Sequence, residues 1–283
     1  MDTVKDKTPE SFFARNEFVI RRLHSLSGLI PVGAYMVVHL LVNASILNGV
    51  EAFQNLVYQI HSLGNVLWVV EWAFIYLPIL FHALLGFVFI FGMKNNTSRY
   101  PTKSNFRYVM QRVTGMIAFV FIFSHVLHLN GLIHADWFRD AIADPVGLAQ
   151  FRPYNAASTA AKALHSPWMS GWYAIGVLAC VYHFANGLWT MGITWGVWVT
   201  PSAQKWASHV CMGIGLIVAA VGLSSIVGFW NLDAEKAAAR EAEMYEARVQ
   251  DGSILPDEHK LSHGADEGHS DNSGAADNPK HTH

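Results

Sequence analysis

The chain has 283 residues, 52% hydrophobic and only 14% charged, with a mean hydropathy of +0.24. A soluble domain carries about a quarter charged residues, so this composition excludes an ordinary soluble protein. A net charge of −2 says nothing about nucleic acid, but no basic patch stands out, and no nucleic-acid partner is expected. Two cysteines, Cys180 and Cys211, lie in apolar runs and read as small buried hydrophobes, not as a disulfide or metal framework.

Residues 1–22 are polar and lack a short apolar core followed by a cleavage site, so no signal peptide is expected. A membrane-crossing helix needs about 20 apolar residues. Residues 23–47 contain no Asp, Glu, Lys or Arg, and residues 62–93 contain one, Glu71. Residues 113–135, 163–204 and 206–232 contain none, the fourth run being long enough for a helix plus a loop. The expected fold is therefore all-α, an integral membrane bundle of five transmembrane helices over residues 23–232. Trp68, Trp72, Trp168, Trp172, Trp195, Trp198, Trp206 and Trp230 fall near span ends, as an interfacial belt requires. Pro31 and Pro78 fall inside spans, where neighbouring helices and water satisfy the freed carbonyls.

Basic residues set the orientation. Lys5, Lys7, Arg15, Arg21 and Arg22 precede the first span, and Lys94, Arg99, Lys103, Arg107 and Arg112 separate the second from the third. The connection over residues 48–61 has no Lys or Arg, and the one between the third and fourth spans offsets Arg139, Arg152 and Lys162 with Asp136, Asp140 and Asp144. The N-terminal segment 1–22 is thus expected in the cytoplasm and the C-terminus outside. Residues 233–283 form a polar tail: 233–250 read as a short soluble helix, and 251–283 as disordered. The five histidines of 251–283 could hold a stray metal, but a solvated tail accounts for them better.

Four histidines sit deep in four different spans: His39, His82, His125 and His183. An ionisable group at that depth is costly. One such histidine would be read as structural; one on each of four helices points to a ligand set, because facing bundle helices supply imidazoles to haem and metals. His39 lies 18 residues past Arg21 and His125 18 past Arg107, while His82 lies 17 past Asn65 and His183 16 past Pro167. Each histidine is therefore in the second half of its helix, roughly 24–27 Å along it. Spans one and three run outward and two and four inward, so His39 pairs with His125 near the outer face, and His82 with His183 near the inner face. Bare zinc or copper would need three or four clustered ligands; two imidazoles per level suit haem iron. Gly86 and Gly187 each follow a ligand by four residues on the same face, leaving room for a macrocycle, though glycine is also common at membrane helix contacts.

Glu71 is the one carboxylate inside a span. It lies 11 residues before His82, which projects it onto nearly the same face about 16 Å further out. It is either a proton-transfer group beside the outer histidine pair or a hydrogen-bonded structural glutamate. His128 is a rival to His125 but stands nearer the membrane boundary. His24, Ser25 and Arg112 are candidates to hold the propionates of the inner haem, although positive-inside anchoring explains Arg112 equally well. His61, His134, His165 and His209 are expected as solvated interfacial histidines.

The motifs Arg21-Arg22-Leu23-His24-Ser25, Ile30-Pro31-Val32-Gly33, Leu77-Pro78-Ile79-Leu80-Phe81-His82-Ala83, Lys94-Asn95-Asn96-Thr97-Ser98, Gln111-Arg112-Val113-Thr114-Gly115 and His183-Phe184-Ala185-Asn186-Gly187-Leu188-Trp189 occur in order. Together they resemble the dihaem cytochrome b membrane-anchor subunit of bacterial succinate:menaquinone oxidoreductases (succinate dehydrogenase or fumarate reductase), from about residue 21 to residue 229. The resemblance implies two b haems with His39, His82, His125 and His183 as axial ligands. It implies a flavoprotein and an iron–sulfur subunit docked on the cytoplasmic side, and menaquinone as the substrate that exchanges electrons. It says nothing about the long connection between spans three and four or the tail after residue 232. A haem-bearing quinol-oxidising anchor of hydrogenase or formate dehydrogenase type is the nearest alternative. A plain structural anchor would not need four deep histidines, and a transporter would show internal repeats, which are not found.

Overall fold

The computed structural model describes residues 12–92, 99, 101–131 and 139–262. Among these, every regular element is helical. Five helices are long and apolar enough to cross a membrane: α1 (Phe12–Asn48), α3 (Asn65–Phe91), α4 (Lys103–Asn130), α6 (Pro167–Thr194) and α7 (Pro201–Trp230). Three shorter helices lie between or after them: α2 (Val50–His61), α5 (Ala156–Leu164) and α8 (Ala234–Gln250).

The helix boundaries follow from local chemistry. α4 starts where the Thr102 hydroxyl accepts from the Asn105 amide at 3.3 Å, α7 where Thr200 accepts from Ala203 at 3.2 Å, and α8 where Asp233 accepts from Lys236 at 3.2 Å. Each side-chain oxygen satisfies an amide that the first helical turn leaves unpaired. Proline opens both α6 and α7, where its missing N–H has no consequence. α1 bends at Gly28–Gly33, where Ile30 ahead of Pro31 is extended (φ −131°, ψ 111°) because an X-Pro residue avoids the helical region. α3 widens into a π turn over Trp72–Tyr76 just before Pro78, and α4 does so over Val126–Asn130 just after His125. Such turns insert one residue and re-aim the side chains beyond them.

α6 is central, packing along both α4 and α7; the C-terminal half of α1 lies on α7, and its N-terminal half on α3. α3 is peripheral, with none of its most apolar window buried, as a lipid-facing helix requires. The apolar core is concentrated at one end of the bundle, joining Leu40, Phe121, Val177, Val218 and Phe229 to Phe53 and Val57 of α2 and to Ala156, Ala157 and Ala160 of α5.

The connections differ from the sequence-based expectation. Residues 50–61, expected as a loop, form an amphipathic helix that buries Phe53, Gln54, Val57 and Tyr58, a stripe at the helical period. The connection before α6 contains α5, eight of whose nine residues are buried. Residues 12–22, expected as a polar segment, continue α1. α8 forms as expected, but residues 251–262 are folded rather than disordered: Ser253 donates to the Arg248 carbonyl, and the Ser262 amide donates to Asn155 Oδ1 at 2.9 Å.

α8 docks on α5 and α2 through polar contacts. Glu241 is fully buried, accepting from the Ala157 amide at 2.6 Å and from the Ser158 amide and hydroxyl. It thereby satisfies the amides at the start of α5, where the helix dipole favours negative charge. Burial raises the Glu241 carboxyl above its usual range, and these hydrogen bonds oppose that rise. Gln54, also fully buried, donates to the Pro153 carbonyl at 2.7 Å and accepts from the Ala156 amide at 2.9 Å. Arg240 pairs with Glu51 of α2 at 2.6 Å, and Arg248 binds Asn55 and lies over the Tyr58 ring.

Candidate functional site

The four intramembrane histidines come together in two pairs. The rings of His39 on α1 and His125 on α4 lie 5.8 Å apart, centre to centre, with their planes at 75°. Those of His82 on α3 and His183 on α6 lie 6.0 Å apart at 88°. The helices carrying each pair make hardly any close backbone approach: neither α1 with α4 nor α3 with α6 is a packed pair. The imidazoles therefore face one another across gaps between helices that their neighbours hold apart.

The two pairs sit at different depths. Along α1, His39 is 11 residues past Gly28, whose backbone abuts the His82 ring; along α4, His125 is 10 past Gly115, which abuts His183. At 1.5 Å per residue the levels are about 15 Å apart.

Hydrogen bonds fix the ring tautomers of the His82–His183 pair. His82 Nδ1 lies 2.9 Å from the His24 carbonyl, and His183 Nδ1 lies 3.0 Å from the Gln111 carbonyl. A carbonyl only accepts, so both Nδ1 atoms carry hydrogen and both Nε2 atoms keep their lone pairs. In the other pair His125 Nδ1 is 3.4 Å from the Tyr173 hydroxyl, which is 2.8 Å from Nδ1 of the buried His128. His128 thus buttresses Tyr173, while His125 is the ring that faces His39. His39 Nε2 accepts from the Asn43 amide at 3.3 Å, and that amide also donates to the His39 carbonyl at 2.7 Å.

The remaining candidates fall as follows. His24 stacks on His82 at 4.1 Å with planes 9° apart, and its buried Nδ1 has no partner among the described residues. Ser25 makes no side-chain hydrogen bond among the described residues, and Arg112 reaches the Ile90 carbonyl at 3.4 Å and lies over Tyr108. His165 stacks on Trp230, His209 is exposed, and His61 is half-buried near Lys260 and Asp257. Burial and the Lys260 ammonium push His61 down to about 4. His134 lies outside the described residues. The π turn at Trp72–Tyr76 swings Glu71 about 100° off the straight-helix projection from His82. Glu71 instead lies within electrostatic range of Tyr35 and Tyr76; Tyr35 stacks on His39 at 5.6 Å, and Tyr76 accepts from Asn130 at 3.2 Å.

The glycines that matter are not those chosen from the sequence. A Cβ at Gly86 would meet His24 Cε1 at 3.6 Å, and one at Gly187 would meet Gln111 Nε2 at 3.6 Å, both ordinary contacts. A Cβ at Gly28 would stand 2.2 Å from His82 Cε1, and one at Gly115 would stand 2.9 Å from His183 Cε1. Each of these glycines lies on a neighbouring helix, not on the helix of the histidine it accommodates. Gln111, Asn186 and Tyr173 were likewise missed. Their roles depend on contacts between helices, which no spacing rule within one helix reveals.

No family model matches the chain. It is 37% identical over 213 residues to the succinate dehydrogenase cytochrome b558 subunit of Bacillus subtilis (strain 168), a match spanning 75% of this chain and 97% of that protein. With that identity over nearly the whole of the relative, and five helices long and apolar enough to cross a membrane, this chain is a member of the succinate dehydrogenase cytochrome b membrane-subunit family.

Proposed function

We propose that this chain is the dihaem membrane anchor of a succinate:quinone oxidoreductase, with His39 and His125 holding an outer haem b and His82 and His183 an inner one. The observation that carries the reading is the pair of facing imidazoles at each of two depths. Two imidazoles on one iron, each bonded at about 2 Å, place their ring centres about 6 Å apart; the two pairs stand at 5.8 and 6.0 Å. The protonated Nδ1 atoms of His82 and His183 leave Nε2 as the ligand atom. Gly28 and Gly115 bring backbone where any side chain would strike those rings. When bound, haem b supplies one-electron carriers at two levels, linking a docked flavoprotein and iron–sulfur subunit to menaquinone across the bundle.

The chain's own residues hold, orient and protonate. The Arg- and Lys-rich ends of α1 and α4 lie in the cytoplasm of a bacterium and receive the soluble subunits, which places His82 and His183 toward them and α2, α5 and α8 outside. Stacked His24 shields one face of His82 from water. At the outer level Glu71, Tyr35, Tyr76 and Asn130 gather beside His39, and Glu71 Oε is the group that delivers protons to a quinone oxygen there. The printed name of the relative favours this reading over the hydrogenase or formate dehydrogenase alternative. The test is a haem titration with reduced-minus-oxidised spectra on the purified complex. Two haems per chain are expected, with His39→Ala and His183→Ala each removing a different spectral component. A colourless chain, or both components surviving both substitutions, refutes the assignment.

A further inference from the structure

A polar chain at the inner level goes beyond what ligation itself requires. Arg107 on α4 sends its guanidinium between α6 and α7. Nε donates to Asn186 Oδ1 at 2.9 Å, an Nη donates to Ser208 Oγ at 2.9 Å, and the guanidinium lies 3.8 Å from the centre of the Trp189 ring. Among the described residues these partners are all neutral. Asn186, 4% exposed, passes the interaction on, its Nδ2 donating to Gln111 Oε1 at 2.7 Å. Gln111 Nε2 then donates to the His183 carbonyl at 3.1 Å and lies 3.3 Å from His183 Nε2, while the Gln111 carbonyl accepts from His183 Nδ1. The run is directional: guanidinium to Asn186, Asn186 to Gln111, Gln111 to His183. Each carboxamide turns its oxygen toward the cation and its N–H toward the turn of α6 that carries His183. Among the described residues the outer pair has no comparable link to a cation; Tyr173, His128 and Asn43 are its partners.

We infer that Arg107, Asn186 and Gln111 form a positioning network that ties the His183 turn of α6 to α4 and raises the reduction potential of the inner haem. A fixed positive charge held at the part-buried seam between helices favours the iron state with one positive charge fewer. Partners beyond the ligands set ring orientation and ligand basicity. The inference rests on the dihaem reading, and its test separates the two.

The experiment is a redox titration of the intact purified complex, with low-temperature EPR of the ferric haems, for wild type, Asn186→Ala, Arg107→Gln and Arg107→Lys. In Asn186→Ala and Arg107→Gln both haems should stay bound. At fixed ambient potential the ferrous-to-ferric ratio of the inner haem should fall about tenfold, equivalent to 59 mV for a one-electron couple. The outer haem should not move, and the inner ferric EPR signal should shift in Asn186→Ala as the Gln111 side chain loses its anchor beside His183. Arg107→Lys keeps the charge and should retain most of the potential. An inner potential unchanged in Asn186→Ala and Arg107→Gln, equal shifts at both haems, or loss of haem from both variants would show a purely structural tie and overturn the inference. A wild-type complex lacking two haems would overturn the dihaem reading itself.

Discussion

Gly28→Ala is the sharpest test of how the inner pair is built. The added Cβ would stand 2.2 Å from His82 Cε1, against the 3.4 Å at which ordinary contact begins, so ring or helix must yield by about 1.2 Å. Metal–ligand distances tolerate about 0.2 Å. A displacement several times larger is incompatible with His82 ligation, since the imidazole is also tied to the His24 carbonyl on the same helix as Gly28. His39 lies 11 residues further along α1, about 16 Å away, and should be undisturbed. Gly28→Ala should therefore lower haem content from two to one per chain and remove the inner component from the reduced-minus-oxidised spectrum. Gly86→Ala is the control: its Cβ would meet His24 at an ordinary 3.6 Å, and both haems should remain. Two haems with unaltered potentials in Gly28→Ala, or a loss in Gly86→Ala equal to that in Gly28→Ala, would refute the reasoning.

At the outer pair, His125→Ala should remove one haem while His128→Ala should leave two, because among the described residues the His128 ring reaches Tyr173 and it is His125 that faces His39; haem per chain decides this. Glu241→Ala should loosen α8 from α5. It strands the buried Ala157 and Ser158 amides, each costing about 1–3 kcal/mol, partly offset by no longer burying a carboxylate. A net loss of about 2 kcal/mol means about thirtyfold more detached helix, visible as faster proteolysis within residues 234–250. Acidification should loosen the segment around Lys260 through His61. Its folded value of about 4 lies below the unfolded 6.5, so its contribution is complete above 6.5 and disappears as pH falls through 4. Glu241, raised by burial, has the opposite sign, so the comparison is between wild type and His61→Gln. Protection of residues 251–262 against protease should fall between pH 6.5 and 4 in wild type but stay flat in the variant.

The five spans were legible because a bilayer tolerates almost no charge, and the gaps between Asp, Glu, Lys and Arg mark them without any knowledge of packing. Bringing His39 to His125 and His82 to His183 needed only the direction of each helix and a fixed rise per residue. Three kinds of feature were not legible, each for a physical reason. The π turn at Trp72–Tyr76 changes the phase of α3, so a projection from His82 back to Glu71 assumes a periodicity the helix does not keep. Gly28 and Gly115 matter because of a ring on another helix, and i+4 spacing, which selected Gly86 and Gly187, reports only on a residue's own helix. Residues 50–61 and 156–164 were passed over because helices too short to span were read as loops, although Phe53, Val57 and Tyr58 carry a helical stripe. The folding of residues 251–262 rests on tertiary contacts, such as the Asn155 carboxamide with the Ser262 amide, that a polar composition conceals.

The two levels of the bundle solve the same problem with different partners. In the His82–His183 pair both Nδ1 atoms donate to backbone carbonyls, which neither titrate nor rotate, so the rings are fixed once the helices are placed. At the outer level His125 relies on a phenol held by another imidazole, and His39 on a carboxamide of its own helix, both side chains with rotameric freedom. Such a site depends on how firmly the surrounding end of the bundle is packed. That end is where the apolar core is concentrated and where α2, α5 and α8 lie. Residues 149–151 hydrogen-bond along 127–129, the turn that carries His128, and continue into α5, whose first amides are held by Glu241. The added helix thus braces, through α5, the wide turn on which the outer imidazoles depend, a support that the carbonyl-anchored inner pair does not need.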